Sequence, residues 1–387
     1  MIDFQPNWVG GTMNHILATL VFALAWMPAA DAQRHTLGEV NAETPEGQML
    51  QQIGQEQDAA KKLELMEQFV SQHPKHEGTG WVLEQLHIAY GAANQNEKVI
   101  EAGEKLLALD PEDTEAALRN LKAAEAMQDV ALVKKWSDTT SKLASRAAVE
   151  PQPKEADEVE SWKKQIEYAT QVNTYTEYAL YALALKQTDP KQKLDLIETL
   201  QQRNPKSEYM PQLATQQFLA YRQVGDNAKA IGLAEQILET DQSNEDMLLV
   251  VADSYLQTKK EPEKLQAYTQ KMVDLMKSKP KPEGVSDPDW EKRKNLITGL
   301  AYYMSGKQHF TANKFGPADT QLRAALPLID ESIKPEVLFL LGLANYKMEK
   351  IQEAANFNRA CAAIKSPFQA QAARNLAAIK SQYRGVK

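Results

Sequence analysis

The sequence predicts an all-α array of antiparallel helix pairs. Three observations carry that reading. Gly (17) and Pro (18) are too few in 387 residues to supply the turns of an all-β sandwich or barrel. Apolar residues recur at three- and four-residue spacing, and no segment alternates apolar with polar residues as a half-buried strand would. The pattern also repeats along the chain, at about 34 residues and again at 131.

The N-terminus is an address before it is a fold. Ile16 to Met27 form a 12-residue apolar run, shorter than the roughly 20 residues that cross a bilayer. Pro28 and the small-x-small triplet Ala30-Asp31-Ala32 follow. Together they predict a signal peptide cleaved after Ala32, an exported chain, and a periplasmic or secreted location. An uncleaved anchor is the alternative. Residues 1–12 fit no signal, so translation is expected from Met13. The absence of an Asn-x-Ser/Thr sequon points to a bacterial envelope rather than a eukaryotic secretory route.

After a flexible stretch, 33–44, the first block of helices is expected at 45–152. Leu83, Leu86 and Tyr90 give one apolar stripe within it. Residues 153–186 carry a helical pattern too long for one repeat helix, and predict a long helix, or two joined near Gln171. It opens the second block, 153–276, where Ile231, Ala234, Ile237 and Leu238 repeat the stripe. Gly225-Asp226-Asn227 is a break between helices. A Pro/Lys-rich linker follows at 277–289, with Asp287-Pro288 as helix cap and first turn. The last block, 290–381, ends in a capping helix, 367–381, before a tail, 382–387.

The two blocks read as copies of one module. A shift of 131 residues pairs Asp58 with Asp189, Leu63 with Leu194, Glu67 with Glu198, Pro74 with Pro205, Tyr90 with Tyr221 and Asp110 with Asp241.

The 34-residue units resemble tetratricopeptide (TPR) repeats. The fullest match is Leu338-x-x-Leu341-Gly342-x-Ala344-Asn345-Tyr346, followed by Ala354, Phe357, Cys361 and Pro367. Asn345 stands where the family has its first Tyr, and His87 and Phe218 replace the small residue of the first helix in units 80–113 and 211–244. The resemblance implies a right-handed superhelix of seven or eight pairs plus the capping helix. Each pair buries its apolar face only by stacking on its neighbours. The first helices would line a concave face that binds peptides or proteins.

Composition narrows the chemistry. Lys+Arg 44 against Asp+Glu 52, a net charge of -8, does not favour nucleic acid. The one cysteine rules out an internal disulfide framework. No Gly-x-Ser-x-Gly, Gly-Lys-Ser/Thr or Gly-x-Gly-x-x-Gly occurs. His73 and His76 flank a proline in a loop, a poor metal pair. Glu112-Asp113, Asp157-Glu158 and Asp330-Glu331 sit at helix ends, where carboxylates serve the helix dipole. Cys361 is expected in the core. No catalytic residue, cofactor or metal is therefore expected.

By the family register the groove would be lined by Arg119, Lys122, Tyr175, Tyr178, Arg222, Tyr303, Phe310, Phe339 and Tyr346. Tyr and Arg dominate binding hot spots. The last four are expected to form one aromatic patch. The function expected is a non-enzymatic protein-interaction scaffold of the cell envelope that holds an extended peptide or partner. The alternatives are a glycan- or envelope-polymer-binding protein, or an accessory subunit of a secreted enzyme or assembly complex.

Overall fold

A computed structural model of the chain describes residues 34–385. The expected signal peptide, its expected cleavage site and Met13 lie outside the described residues. Among those described there are 17 α-helices and no strand. They fall into two compact units, 34–226 and 227–385.

The first unit holds α1 (Pro45–Gln55), α2 (Ala59–Gln72), α3 (Thr79–Ala92), α4 (Asn96–Leu109), α5 (Thr114–Met127), α6 (Val130–Ala147), α7 (Val159–Lys186), α8 (Pro190–Arg203) and α9 (Met210–Gln223). Each helix packs antiparallel on the next, through short loops except for the eleven residues 148–158 between α6 and α7. In addition α3, α5, α7 and α9 lie side by side in turn. Ile53, Phe69, Leu121, Leu180, Leu196 and Leu213 belong to one continuous core through this unit.

The second unit holds α10 (Asn227–Thr240), α11 (Glu245–Thr258), α12 (Pro262–Ser278), α13 (Asp287–Thr311), α14 (Phe315–Ala325), α15 (Lys334–Lys347), α16 (Ile351–Ala362) and α17 (Gln369–Gln382). Its helices also pack in sequence. Cys361 is fully buried with Leu338 and Ala372, and its Sγ lies 3.3 Å from the Pro335 carbonyl oxygen. At Gly342 a Cβ would meet the Asn358 amide of α16 at 2.6 Å, the close helix crossing the family register implies.

The 131-residue shift reappears in the backbone. It carries the bounds of α2, α3, α4 and α5 onto those of α8, α9, α10 and α11. Caps move with them. Asp58 and Asp189 each accept two backbone N–H groups of the first turn, and Asp113 and Asn244 each accept one. Asn94 and Gly225 both turn the chain in the left-handed region, as do Gln128 and Lys259. Asn313 and Glu349 do the same between α13 and α14 and between α15 and α16. A left-handed residue there closes the first helix and frees its last carbonyls for capping.

Several expectations are corrected. The seam is one long helix, as the first of its two readings had it, but that helix, α7, has 28 residues and starts at Val159, not at 153. The linker is shorter than 277–289, because α12 runs to Ser278 and Ser286, not Asp287, caps α13. It is also tied down, by Lys279 on Glu245 and Lys281 on Asp287. The division between compact units falls at 226/227, inside the block 153–276. Residues 34–41 are not a free tail. They lie against α1, α3 and the start of α5, held by the side chains described below.

Candidate functional site

The long helix α7 sets four tyrosines on one stripe: Tyr168, Tyr175, Tyr178 and Tyr181. Spacings of seven, three and three keep them on one side of a 3.6-residue helix. The buried stripe beside them, Ala169, Val172, Thr176, Ala179, Leu180 and Leu183, fixes that side's direction by packing into the unit. Tyr209, just before α9, joins the row.

The rings form a ladder. Tyr175 and Tyr178 have centroids 6.0 Å apart, Tyr178 and Tyr181 6.2 Å, and Tyr178 and Tyr209 6.1 Å. Tyr181 stacks on Tyr209 at 4.8 Å and 23°. Three of the hydroxyls are tethered. Tyr175 donates to Glu125 at 2.7 Å, Tyr181 to Gln212 at 2.7 Å, and Tyr168 to Glu115. These bonds and contacts hold the rings in place before any ligand arrives.

Two expected groove residues of α5 border the ladder. Lys122, exposed, lies 5.8 Å from the centroid of Tyr175. Arg119, half-buried, opposes protonation of His87 and eases ionisation of the Tyr168 phenol by its charge. Burial pushes the Tyr168 and Tyr175 phenols up, with Glu115 and Glu125 adding to it. Tyr209 is pushed up to about 12, chiefly by burial. Burial also raises Glu125, against the hydrogen bond from Tyr175 and the charge of Lys122. Tyr168, Tyr175 and Tyr209 are therefore held as neutral phenols, with the side chains of Glu115, Glu125 and Lys122 beside them.

The structure thus brings together Arg119, Lys122, Tyr175 and Tyr178. Arg222 lies exposed near the end of α9. The C-terminal patch is a correction. Tyr303 is buried, donates to Glu336 at 2.8 Å and accepts from Lys307 at 2.9 Å. Phe310 packs edge-on against Phe315 at 5.6 Å, where α13 turns into α14. Phe339 packs on Phe368 at 5.3 Å, beside Leu338 and Cys361. Tyr346 is exposed and donates to Gln382 at 3.2 Å. The two Phe rings are spent on helix packing, each on a different partner.

Tyr168, Tyr181 and Tyr209 were missed by repeat register. The stripe spacing on α7 would have found the first two. A cleft of about 580 Å³ between α2, α3 and α4 was also missed. Its floor includes Val70, Leu83 and Leu86, and Lys98 and Glu101 stand among its lining residues. The 131-residue shift turns Val70 and Leu86 into Gln201 and Gln217, which hydrogen-bond to each other at 3.2 Å. One copy is apolar where the other is polar.

Among the described residues no group of three His, Cys, Asp or Glu could hold a metal ion. His73 and His76 pack on Phe69 at 5.3 and 5.5 Å. No described helix is long and apolar enough to cross a membrane.

No protein-family model matches the sequence, and no curated protein matches it. Solved structures similar to it include the TPR domain of P58(IPK), at 13% identity over 87% of this chain and 98% of that one. Yeast Tom70 is similar at 13% identity over 88% of this chain and 73% of that one. The TM-score is 0.25 in both cases.

Proposed function

We propose that this chain is a non-enzymatic interaction scaffold that holds an extended peptide or partner protein on the face made by α5, α7 and α9. The tyrosine ladder carries the reading. Tyr168 and Tyr178 keep more than a third of their surface in water, at 37% and 36%, Tyr168 tethered to Glu115 and Tyr178 held among the rings of Tyr175, Tyr181 and Tyr209. Tyrosine offers large contact area with little rotamer freedom to lose. Lys122 and Arg119 beside the rings suit a peptide with its own carboxylates and carbonyls.

A glycan platform fits less well. A pyranose stacks on a free aromatic face, and Tyr181 and Tyr209 spend theirs on each other.

Export is part of the same proposal, supported by the apolar run Ile16–Met27 and the triplet Ala30-Asp31-Ala32. The protein recovered from the source envelope should begin at or near Gln33. Recovery of residues 1–12 on it would sink that part.

The test of the platform is affinity capture from envelope extract with the native chain and with Tyr178→Ser. A hot-spot aromatic is worth about 2 kcal/mol, roughly thirtyfold in affinity. A partner retained equally by both forms overturns the assignment of this face.

A further inference from the structure

The segment before α1 behaves as a bound peptide. It bends at residues 34–35 and then lies outside any helix or strand, and its exposure alternates: Arg34 and Thr36 outward, His35 and Leu37 half-buried against the helices. Arg34 binds Asp110 through two nitrogens, Nε and a terminal nitrogen at 3.1 Å. The His35 backbone N–H donates to Glu84 on α3 at 3.3 Å, and its Nε2 lies 3.5 Å from the Asp113 carboxylate at the start of α5. Leu37 packs on the core of the unit.

The body of the unit makes room for this segment with glycines. A Cβ on Gly80 would meet the His35 ring at 2.9 Å. One on Gly78 would meet Leu37 at 3.0 Å, and one on Gly47 would overlap the Asn41 carbonyl. Gly80 and Gly78 thus leave room for the His35 and Leu37 side chains, and Gly47 for the backbone at Asn41, so the surface is fitted to this segment.

The seat continues into the tyrosine ladder. Going backward along the segment, its partners pass from α1 to α3 to the start of α5. The next residues on α5 are Glu115, bound to Tyr168, and then Arg119 and Lys122.

We propose that residues 34–37 are an internal occupant of a peptide seat whose outside ligand is an extended segment of the form Arg-x-x-aliphatic, and that this ligand displaces them. The proposal rests on reading the α5–α7–α9 face as a peptide platform, which would take the residues preceding the ligand's arginine. Asp110 supplies the bidentate carboxylate that selects arginine over lysine. The Gly78 surface takes the aliphatic residue. A ligand that reaches both the seat and the ladder gains contacts that the internal segment lacks.

The probe is a fluorescent peptide, acetyl-Arg-His-Thr-Leu-Gly-Glu-Val, titrated into the full chain and into the full chain carrying Arg34→Glu and Leu37→Ser. The variant should bind at least tenfold tighter than the native chain, because its seat is vacated. Adding Asp110→Lys should abolish that binding, and a probe beginning with Glu should restore it. Equal affinity for native and vacated chains, no binding to either, or no rescue by the charge-swapped probe overturns the proposal.

Should the variant lose helicity, amide exchange on the native chain decides. The His35 amide should exchange at least a hundredfold faster than the Leu86 amide of α3, which marks opening of the segment without unfolding. Exchange at the same rate as the core overturns displaceability. The probe touches no tyrosine of the ladder. Loss of the Tyr178 effect on partner capture, with probe binding intact, would sink the platform reading alone.

Discussion

Tyr90 and Tyr221, 131 residues apart, make the same hydrogen bond: each phenol donates to a glutamate 23 residues earlier, Glu67 at 2.6 Å and Glu198 at 2.8 Å. In each copy the bond ties the end of one first helix to the second helix of the preceding pair. The duplicated module therefore preserves a stacking joint as well as a hydrophobic pattern.

That joint should be measurable. Tyr90→Phe removes one charge-assisted hydrogen bond but leaves Glu67 paired with Lys98 at 2.8 Å. The expected cost is about 1 kcal/mol, since no buried charge is left alone. Urea unfolding of the native chain and Tyr90→Phe would check it. An unchanged midpoint would mean that the bond is not a stacking joint.

The pH dependence of stability should show a histidine signature. His87 is almost fully buried on α3, and Asn120 Oδ1 lies 3.0 Å from its Nε2. Burial, with the charge of Arg119, pushes its pKa from 6.5 down to about 4. The folded state thus keeps the ring neutral while the unfolded chain takes up a proton. This contribution is fully present above pH 6.5, falls as pH drops towards 4, and levels off below. Its size is about 3 kcal/mol. The shifted copy has Phe218, Ala234 and Val251 where the first has His87, Gly103 and Asn120. The triple variant His87→Phe, Gly103→Ala, Asn120→Val should lose less stability than the native chain between pH 6.5 and 4. Parallel curves for the two proteins would refute the assignment.

The same trio predicts a coupling. A Cβ on Gly103 would overlap the Asn120 amide, which also donates to the Ile100 carbonyl at 3.3 Å. Helix propensity alone would make Gly103→Ala about 1 kcal/mol stabilising. Overpacking costs about 1–3 kcal/mol and breaks the buried hydrogen bonds besides, so the clash should win. Gly103→Ala alone should destabilise, and should do so less in the His87→Phe, Asn120→Val background. Additive effects in a double-mutant cycle would contradict the shared site.

Phe339→Ala should lower the melting temperature and not act as a silent surface change. The ring is half-buried on Phe368 beside Leu338 and Cys361. A loss of about 2 kcal/mol is expected, below the roughly 3–5 for a fully buried ring. A circular-dichroism melt that does not move would return Phe339 to the list of binding residues.

The array was legible because its signals are local and repeated. Asp58, Tyr90 and Leu107 recur at 189, 221 and 238, and each acts through its own helix or the adjoining one. The seating of residues 34–37 was not legible. Four residues outside any helix carry no period, and their partners Glu84 and Asp110 lie 49 and 76 residues away from His35 and Arg34. Phe310 and Phe339 were misplaced because register gives the face of a helix, not the ring that a neighbouring loop brings against it.

Cys361 gives the second unit a chemical clock. Its thiol is fully enclosed and burial raises its pKa, so a thiol reagent meets it only when the last helices part. As the chain's one cysteine, it makes the rate of labelling a direct reading of opening around α15, α16 and α17, with no probe attached and no residue changed. Events confined to residues 34–226 leave that rate untouched, so a partner that engages the tyrosine ladder and also slows the labelling would have to be felt across both units.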